Sequence, residues 1–256
     1  MDAPASTPGA AGQPVLDIRA VSKRFGGVEA LKGVSLQLRP GDVVALAGDN
    51  GAGKSTLTKI ISGVYPADGG EIRLDGKPVH FATPEAARRA GIETIYQDLA
   101  LADNLSIGAN IFLGREPMRR ALGILPMLDR KAMAAAAKET MARLDFHVDR
   151  LHAPVGRFSG GQRQAVAIGR AIYWNARVIL MDEPTAALGV PEQRKVLALI
   201  RGLKSQGRGV IFVSHNLQDI FAVSDRVVVL RRGSLAGERR IEDTSHDEVV
   251  KLMIGG

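Results

Sequence analysis

Cysteine is absent from the 256 residues, so neither a disulfide nor a thiolate metal site can belong to this protein. Aromatic residues are scarce at 4%, and no basic stretch is interleaved with them as in a nucleic-acid groove. Long apolar runs are missing too. None approaches the ~20 residues that a bilayer-spanning helix needs, which excludes a pore built from this chain alone. The opening segment MDAPASTPGAAGQP has neither the basic start nor the apolar stretch of a signal peptide. Residues 1–13 are expected to form a disordered Ala/Pro/Gly tail. Together with the lack of cysteine, this fits the cytosol.

What is present is the composition of an ordinary globular protein, 45% hydrophobic and 24% charged, long enough for one sizeable core or two joined subdomains. Lys and Arg number 34 against 27 Asp and Glu, a formal charge of +7. These charges are scattered along the chain, as on a solvated surface, and no nucleic-acid partner is expected.

Alternation of apolar and polar residues predicts strands over Val15–Ala20 and Val34–Leu38. Arg39-Pro40-Gly41-Asp42 is a turn, and the unbroken run Val43–Ala47 reads as a strand buried on both faces, as in a parallel sheet. A helix to about Ser62, a turn at Pro66–Gly70 and a strand over Glu71–Leu74 follow. The middle reads as helices over Pro84–Arg89 and Ser106–Leu113, an extended Ile92–Tyr96, and an irregular link Gly114–Leu128 with two prolines. Asp129–Leu144 is an Ala-rich helix with Asp129 as N-cap, and another helix follows Ser159-Gly160-Gly161. Strands then recur at Val178–Met181, Val210–Val213 and Val227–Leu230, with a helix over Pro191–Ser205 that has proline at its start. The pattern is an α/β sheet domain interrupted by a helical insert.

Chemistry enters between the strand Val43–Ala47 and the helix after it. Gly48-Asp49-Asn50-Gly51-Ala52-Gly53-Lys54-Ser55-Thr56 has the spacing of a P-loop in the strand–loop–helix setting that such a loop requires. Its glycines let backbone N–H groups converge on phosphate oxygens at a helix N-terminus. Lys54 can reach the β- and γ-phosphates, and the Ser55 hydroxyl can ligate Mg²⁺. A second signal is Val178-Ile179-Leu180-Met181-Asp182-Glu183, an apolar strand ending in two carboxylates at the edge where open α/β sheets bind ligands. Asp182 is placed to hold Mg²⁺ through water, and Glu183 to orient or deprotonate an attacking water.

The third signal, Phe158-Ser159-Gly160-Gly161-Gln162-Arg163-Gln164, precedes that acidic strand by one helix. A serine and two glycines opening a helix form a second phosphate site. In this order and spacing the segment resembles the LSGGQ motif of ABC ATPases. The resemblance spans about residues 14–240. It implies a P-loop NTPase (RecA-like) sheet core with an N-terminal antiparallel β subdomain and an inserted α-helical subdomain. Residues 14–256 would be one ABC ATPase domain, with the core at 14–96 and 175–256 and the helical subdomain at 97–174. Two ATP molecules would be sandwiched head-to-tail between two such domains, each P-loop facing Ser159, Gly160, Gly161 and Gln162 of the other.

Further positions match the family's pattern. Gln97, ending the strand Ile92–Tyr96, resembles the Q-loop glutamine that contacts Mg²⁺ and the attacking water and senses the transmembrane partner. His215, after the strand Val210–Val213, resembles the switch histidine that holds the γ-phosphate and would contact Glu183. Phe25, in Lys23-Arg24-Phe25-Gly26, resembles the aromatic that stacks on adenine. Two departures stand out. Phe158 replaces the usual Leu, a conservative apolar change. Ala186-Ala187-Leu188-Gly189 stands where the family usually reads SALD, and Gly189 cannot make the contacts of the usual aspartate.

Glu183-Pro184-Thr185-Ala186-Ala187-Leu188, Tyr96-Gln97-Asp98-Leu99-Ala100-Leu101 and Ser214-His215-Asn216 are similar to the ATPases of monosaccharide importers (ribose, xylose, fructose and similar sugars). Implied partners are a second ABC ATPase domain (an identical copy or a different one), transmembrane permease subunits and, indirectly, a periplasmic or extracellular sugar-binding protein. The implied location is the cytoplasmic face of the inner membrane. Transport of another solute, and a soluble ABC ATPase acting on ribosomes or nucleic acid, are the alternatives.

Overall fold

The computed structural model describes residues 12–121, 125–144 and 151–255; residues 1–11 of the expected tail lie outside them. Alternating segments form strands that cover one face, and unbroken apolar segments form strands buried on both. β1 (Leu16–Phe25) and β2 (Val28–Leu38) make an antiparallel hairpin, with Val34, Leu36 and Leu38 inward and Ser35 and Gln37 outward. β3 (Val43–Ala47) is buried at every residue. α1 (Lys54–Ile61), β4 (Gly69–Leu74), β5 (Lys77–Val79), α2 (Pro84–Arg89) and β6 (Ile92–Ile95) follow.

Next come α3 (Ile107–Phe112), β7 (Met118–Ala121), β8 (Leu125–Leu128), α4 (Arg130–Arg143) and α5 (Gly160–Tyr173). Ser106 and Asp129 cap α3 and α4, each accepting a backbone N–H from the first turn. The chain closes with β9 (Val178–Asp182), α6 (Val190–Ser205), β10 (Gly209–Val213), α7 (Leu217–Val223), β11 (Arg226–Arg231), β12 (Ser234–Arg240) and α8 (His246–Ile254).

One expectation is corrected. The link Gly114–Leu128 is not irregular throughout: β7 and β8 pair as an antiparallel ribbon, Met118 opposite Leu128 and Arg120 opposite Pro126. Proline argues against a central strand because it removes a ladder donor. A two-stranded ribbon has a free edge on both sides, where that missing N–H costs little. The insert therefore contains strands as well as helices.

Two sheets carry the fold. One has the order β2-β1-β4-β5 and is antiparallel. The other has the order β12-β11-β3-β10-β9-β6, parallel from β11 to β6 with β12 antiparallel at its edge. Successive side chains of its strands enter different cores. Val43, Ala45, Ile179, Met181 and Phe212 pack with α3, α4, α5 and α6. Val44, Leu46, Leu180, Ile211 and Val213 pack with the antiparallel sheet and with Leu57, Ile60 and Ile61 of α1. Three layers result, with the large sheet in the middle.

The insert is fastened to this sheet by a buried ion pair. Glu93 of β6 and Arg170 of α5 stand 3.5 Å apart (Nε to Oε1), with side chains 6% and 13% exposed. Arg170 also donates to the carbonyl of Ala100 at 3.4 Å. Burial pushes the Glu93 carboxyl up and the Arg170 guanidinium down, and each partner's charge opposes the shift of the other. Nearby, Trp174 donates its indole N–H to the Ile111 carbonyl at 2.9 Å, and Arg115 lies 4.7 Å from the Trp174 ring centre. Removing one member of the buried pair leaves the other charged and unpaired. Glu93→Ala is therefore expected to lower unfolding free energy by about 3 kcal/mol, and the double change Glu93→Met/Arg170→Met by much less. Urea titration of both proteins checks this.

Candidate active site

The parallel strands β3, β10, β9 and β6 lie side by side, so the loops leaving their carboxyl ends share one edge. The P-loop leaves β3, His215 follows β10, Asp182 ends β9 with Glu183 just after it, and Gln97 follows β6.

The P-loop conformation requires its glycines. Gly48 has φ 141°, and a Cβ there would stand 2.2 Å from the Leu230 carbonyl oxygen. Gly53 has φ 107°, and a Cβ there would meet Leu31 Cδ2 at 2.8 Å. The loop is braced from behind: Gly233 N–H donates to the Ala52 carbonyl (3.0 Å) and Lys32 N–H to the Gly233 carbonyl (2.8 Å). Lys54 Nζ donates to the carbonyls of Gly48 (2.6 Å) and Asp49 (3.0 Å). Burial holds the Lys54 ammonium below its ordinary pKa, opposed by the charges of Glu183, Asp49 and Asp182. A cleft of about 720 Å³ opens over the loop, lined by Asn50, Gly51, Ala52, Gly53, Lys54, Ser55 and Thr56.

Asp182 and Glu183 are half-buried beside Lys54. Burial first, then the charge of Glu183, pushes the Asp182 carboxyl up, with Lys54 and Lys59 opposing. Glu183 turns into the left-handed region (φ 48°), held there by its N–H donating to the Val213 carbonyl at 2.9 Å. That turn brings Glu183 Oε1 to 2.8 Å from His215 Nδ1. An ionised Glu183 selects the Nδ1–H tautomer of His215 and leaves Nε2 as the atom able to meet a ligand. Asp182, Glu183, His215 and Lys54 therefore form one constellation.

Some predicted residues stand apart from it. Gln97 is exposed in the turn after β6, on the same edge, but none of the hydrogen bonds among the described residues ties it to the other four. Phe25 is 43% exposed at the end of β1, edge-to-face on Tyr65 with centroids 5.2 Å apart, two residues before the cleft's lining begins at Gly27. Ser159 caps α5: its hydroxyl accepts from Gln162 N–H (3.4 Å), and its own N–H donates to Gln162 Oε1 (2.9 Å). Ser159, Gly161 and Gln162 line a separate groove of about 720 Å³ between α5 and α6, which shares no lining residue with the P-loop cleft.

Other residues come to the site without having been expected. Val28, Glu29, Lys32 and Arg232 line the second wall of the P-loop cleft. Arg232 arrives because β11 lies next to β3, and strand order leaves no local trace in sequence. Below the carboxylates, Thr185 Oγ1 donates to Asp219 Oδ2 at 2.7 Å, both side chains buried. This bond ties the segment after Glu183 to α7, which begins just after His215. Thr185→Val would leave the Asp219 carboxylate buried with one fewer donor. A loss of roughly 1–3 kcal/mol is expected, largely recovered by Thr185→Ser. Denaturant midpoints at constant m-value would show it.

The oxygen donors Ser55 and Asp182, with the amide of Gln97, are of the kind that suits Mg²⁺. Among the described residues no group of three His, Asp or Glu side chains is set to hold a metal without phosphate help. No helix there is long and apolar enough to cross a membrane.

Comparison with known proteins shows the family and the fold. The family model described as "ABC transporter" matches residues 31–186, more than half of the chain. The xylose/arabinose import ATP-binding protein XylG of Sulfolobus acidocaldarius is 48% identical over 239 residues, 93% of each protein. A ribose import ATP-binding protein, RbsA 1 of Rubrobacter xylanophilus, is 47% identical over 95% of this chain, which spans only 47% of that relative's length. A crystal structure of the ADP conformation of an ATP-binding cassette of an ABC transporter superposes with a TM-score of 0.81 at 27% identity, covering 95% and 99% of the two chains. A nucleotide-free cassette superposes with a TM-score of 0.79, covering 95% and 96%. With its P-loop, its paired acidic strand end and its SGGQ-headed helix in that fold, this chain belongs to the ABC transporter family as one of its ATP-binding cassettes.

Proposed function

We propose that this chain is the ATP-binding subunit of an ABC importer, hydrolysing ATP to drive uptake of a small sugar, a monosaccharide. The contact between Glu183 and His215 beside Lys54 carries the chemistry. The sugar rests on the relatives, whose names specify xylose/arabinose and ribose import.

The P-loop amides and Lys54 bind the phosphates, Lys54 exchanging its bonds to Gly48 and Asp49 for phosphate oxygens. Gly48 and Gly53 keep that cradle open, and Phe25 offers its exposed face to the adenine. Ser55, Asp182 and Gln97 would hold Mg²⁺, which supplies charge neutralisation at the phosphates when bound. Glu183 orients the attacking water and accepts its proton, and His215 keeps Glu183 in place while its Nε2 meets the γ-phosphate.

The remaining side of the nucleotide is closed by Ser159, Gly160, Gly161 and Gln162 of a second ATPase domain, in a head-to-tail pair. The groove that Ser159, Gly161 and Gln162 line lies apart from the P-loop cleft of the same chain, which supports a site completed in trans. Closure is passed to permease subunits through residues 97–113, at the cytoplasmic face of the membrane, and a sugar-binding protein delivers the solute on the far side. Residues 14–96 and 175–256 act as the core in this cycle and 97–174 as the moving subdomain.

Lys54→Ala is expected to weaken nucleotide binding and abolish turnover. Glu183→Gln, which keeps the side chain's shape, is expected to lower turnover by about 10²–10⁴ while an ATP-bound pair accumulates. Phosphate release and light scattering after size exclusion measure both; hydrolysis at the unmodified rate in Glu183→Gln would remove Glu183 from the chemistry. Affinity capture from solubilised membranes should recover a multi-spanning permease, and recovery with ribosomes or DNA instead would displace the transport reading.

A further inference from the structure

The ribbon of β7 and β8 stands on a fixed root. Arg115, just before it, lies 4.7 Å from the Trp174 ring centre and donates its backbone N–H to the Phe112 carbonyl at 2.7 Å. Where the ribbon ends, Asp129 N–H donates to the Pro117 carbonyl at 2.8 Å and closes the two strands together. Beyond that root Met118 to Arg120 and Leu125 to Leu128 are all exposed. Met118, Leu125, Met127 and Leu128 show 57%, 54%, 47% and 42% of their surface, and Leu113 beside the root shows 45%. A two-stranded ribbon is marginal in water by itself, and large apolar side chains gathered on one exposed element mark a contact surface.

Charge narrows the kind of contact. Arg119 and Arg120 on β7, with Arg130 and Lys131 at the start of α4, are exposed. They enter none of the ion pairs formed among the described residues. The acids nearby are already engaged: Glu116 Oε1 accepts the Gly114 N–H at 3.0 Å, and Asp129 Oδ1 accepts the Ala132 N–H at 2.9 Å. The first turn of α4 holds no acid, and Arg130 and Lys131 sit there against the dipole of the helix. Cations with apolar side chains between them fit a counterpart that is both anionic and apolar.

Register decides between a protein and a lipid counterpart. Residues opposite each other across a ribbon share a face, and neighbours along a strand alternate. Met118, Leu128, Arg120 and Pro126 therefore lie on one face, and Arg119, Met127 and Leu125 on the other. Each face carries arginine and apolar side chains together. A protein groove would cover one face only, and a third strand would need an open edge, which Pro126 and the arginines blunt. A bilayer surface surrounds both faces at once, with phosphates for the guanidinium groups and the acyl boundary for the Met and Leu side chains. We propose that the β7–β8 ribbon is a membrane-contacting blade that dips into the headgroup layer of a bilayer containing anionic phospholipid. The function proposed above brings the chain to the membrane through permease subunits; the ribbon adds a direct contact with lipid, whichever solute is carried.

The test is sedimentation of the full chain, without any permease, with vesicles of phosphatidylcholine alone or mixed with phosphatidylglycerol. Binding is expected to the anionic vesicles only, and salt should weaken it. Arg119→Gln/Arg120→Gln should weaken it about fivefold for each arginine removed. Leu125→Gln/Met127→Gln should weaken it as well. Lys77→Gln/Lys251→Gln removes the same charge from exposed positions outside the insert and should leave binding as it was. All these side chains are exposed, so melting temperature and ATP hydrolysis by the free chain should not move. The chain has no cysteine, so Met127→Cys gives a single site for an environment-sensitive dye, whose emission should shift to the blue on anionic vesicles. Equal binding to both kinds of vesicle or to neither, equal weakening by the ribbon and control pairs, or an unshifted dye would each overturn the proposal. Loss of permease recovery in the ribbon variants, with no vesicle binding by the unmodified chain, would assign the ribbon to a protein partner and overturn it too. Vesicle binding as expected, with no permease recovered from membranes, would displace the transport reading and leave the lipid contact standing.

Discussion

Parallel pairing of β3, β10, β9 and β6 is the constraint on which the rest of the structure depends. Strands that run the same way place all their carboxyl ends on one edge, so a loop, a histidine, two carboxylates and a glutamine from four distant stretches arrive together. Such a sheet needs cover on both faces, because every strand carries apolar side chains up and down. The antiparallel sheet with α1 covers one face, and α3, α4, α5 and α6 cover the other. The insert is thus part of the core's cover as well as the bearer of Ser159. Movement of α5 necessarily works against packing on the sheet that holds Glu183.

Electrostatics at that edge follow from half-burial of unlike charges. Lys54 would lose its proton more readily in its pocket were it not facing Glu183, Asp49 and Asp182. Asp182 would ionise more readily were it not buried next to Glu183. Both tendencies are relieved by the same ligand, an anion for the lysine with a cation for the carboxylates. Bonds from Lys54 to two P-loop carbonyls satisfy the ammonium meanwhile and hold it within reach of the place where phosphate would lie.

Much of this was legible in the residues. β3, β9 and β10 show as short unbroken apolar runs, and their ends are marked by Gly48, Asp182 and His215, so strand and site announce one another. α4 and α5 show through their caps, Asp129 and Ser159. The illegible parts have physical reasons. β7 and β8 are exposed where described and pair only with each other, so no core imposes a period on them. β12 follows a turn at Arg232-Gly233 and is half-exposed, with only a weak alternation. Lys32 and Arg232 reach the cleft through strand order, and the bond from Thr185 to Asp219 spans 34 residues. Neither kind of proximity is written in any local pattern.

The proposed division of the nucleotide's surroundings between two chains would account for an otherwise odd feature of the structure. A serine and two small residues at the head of α5 make a phosphate-binding terminus, and the same chain holds a complete P-loop, yet the two open into separate clefts. Within one chain, Ser159 and Gln162 satisfy each other through reciprocal bonds, which leaves the α5 terminus stable without a ligand. Its glycines meanwhile are filled by Leu188 and Glu192 from the segment after Glu183. A terminus that is both self-capped and close to the segment that follows its own catalytic strand suits, on the pairing proposed above, contact with a partner's nucleotide rather than binding within one chain. On the head-to-tail pairing proposed above, hydrolysis would be conditional on assembly, which is what a motor needs if ATP is to be consumed only when a second domain is present to do work with it.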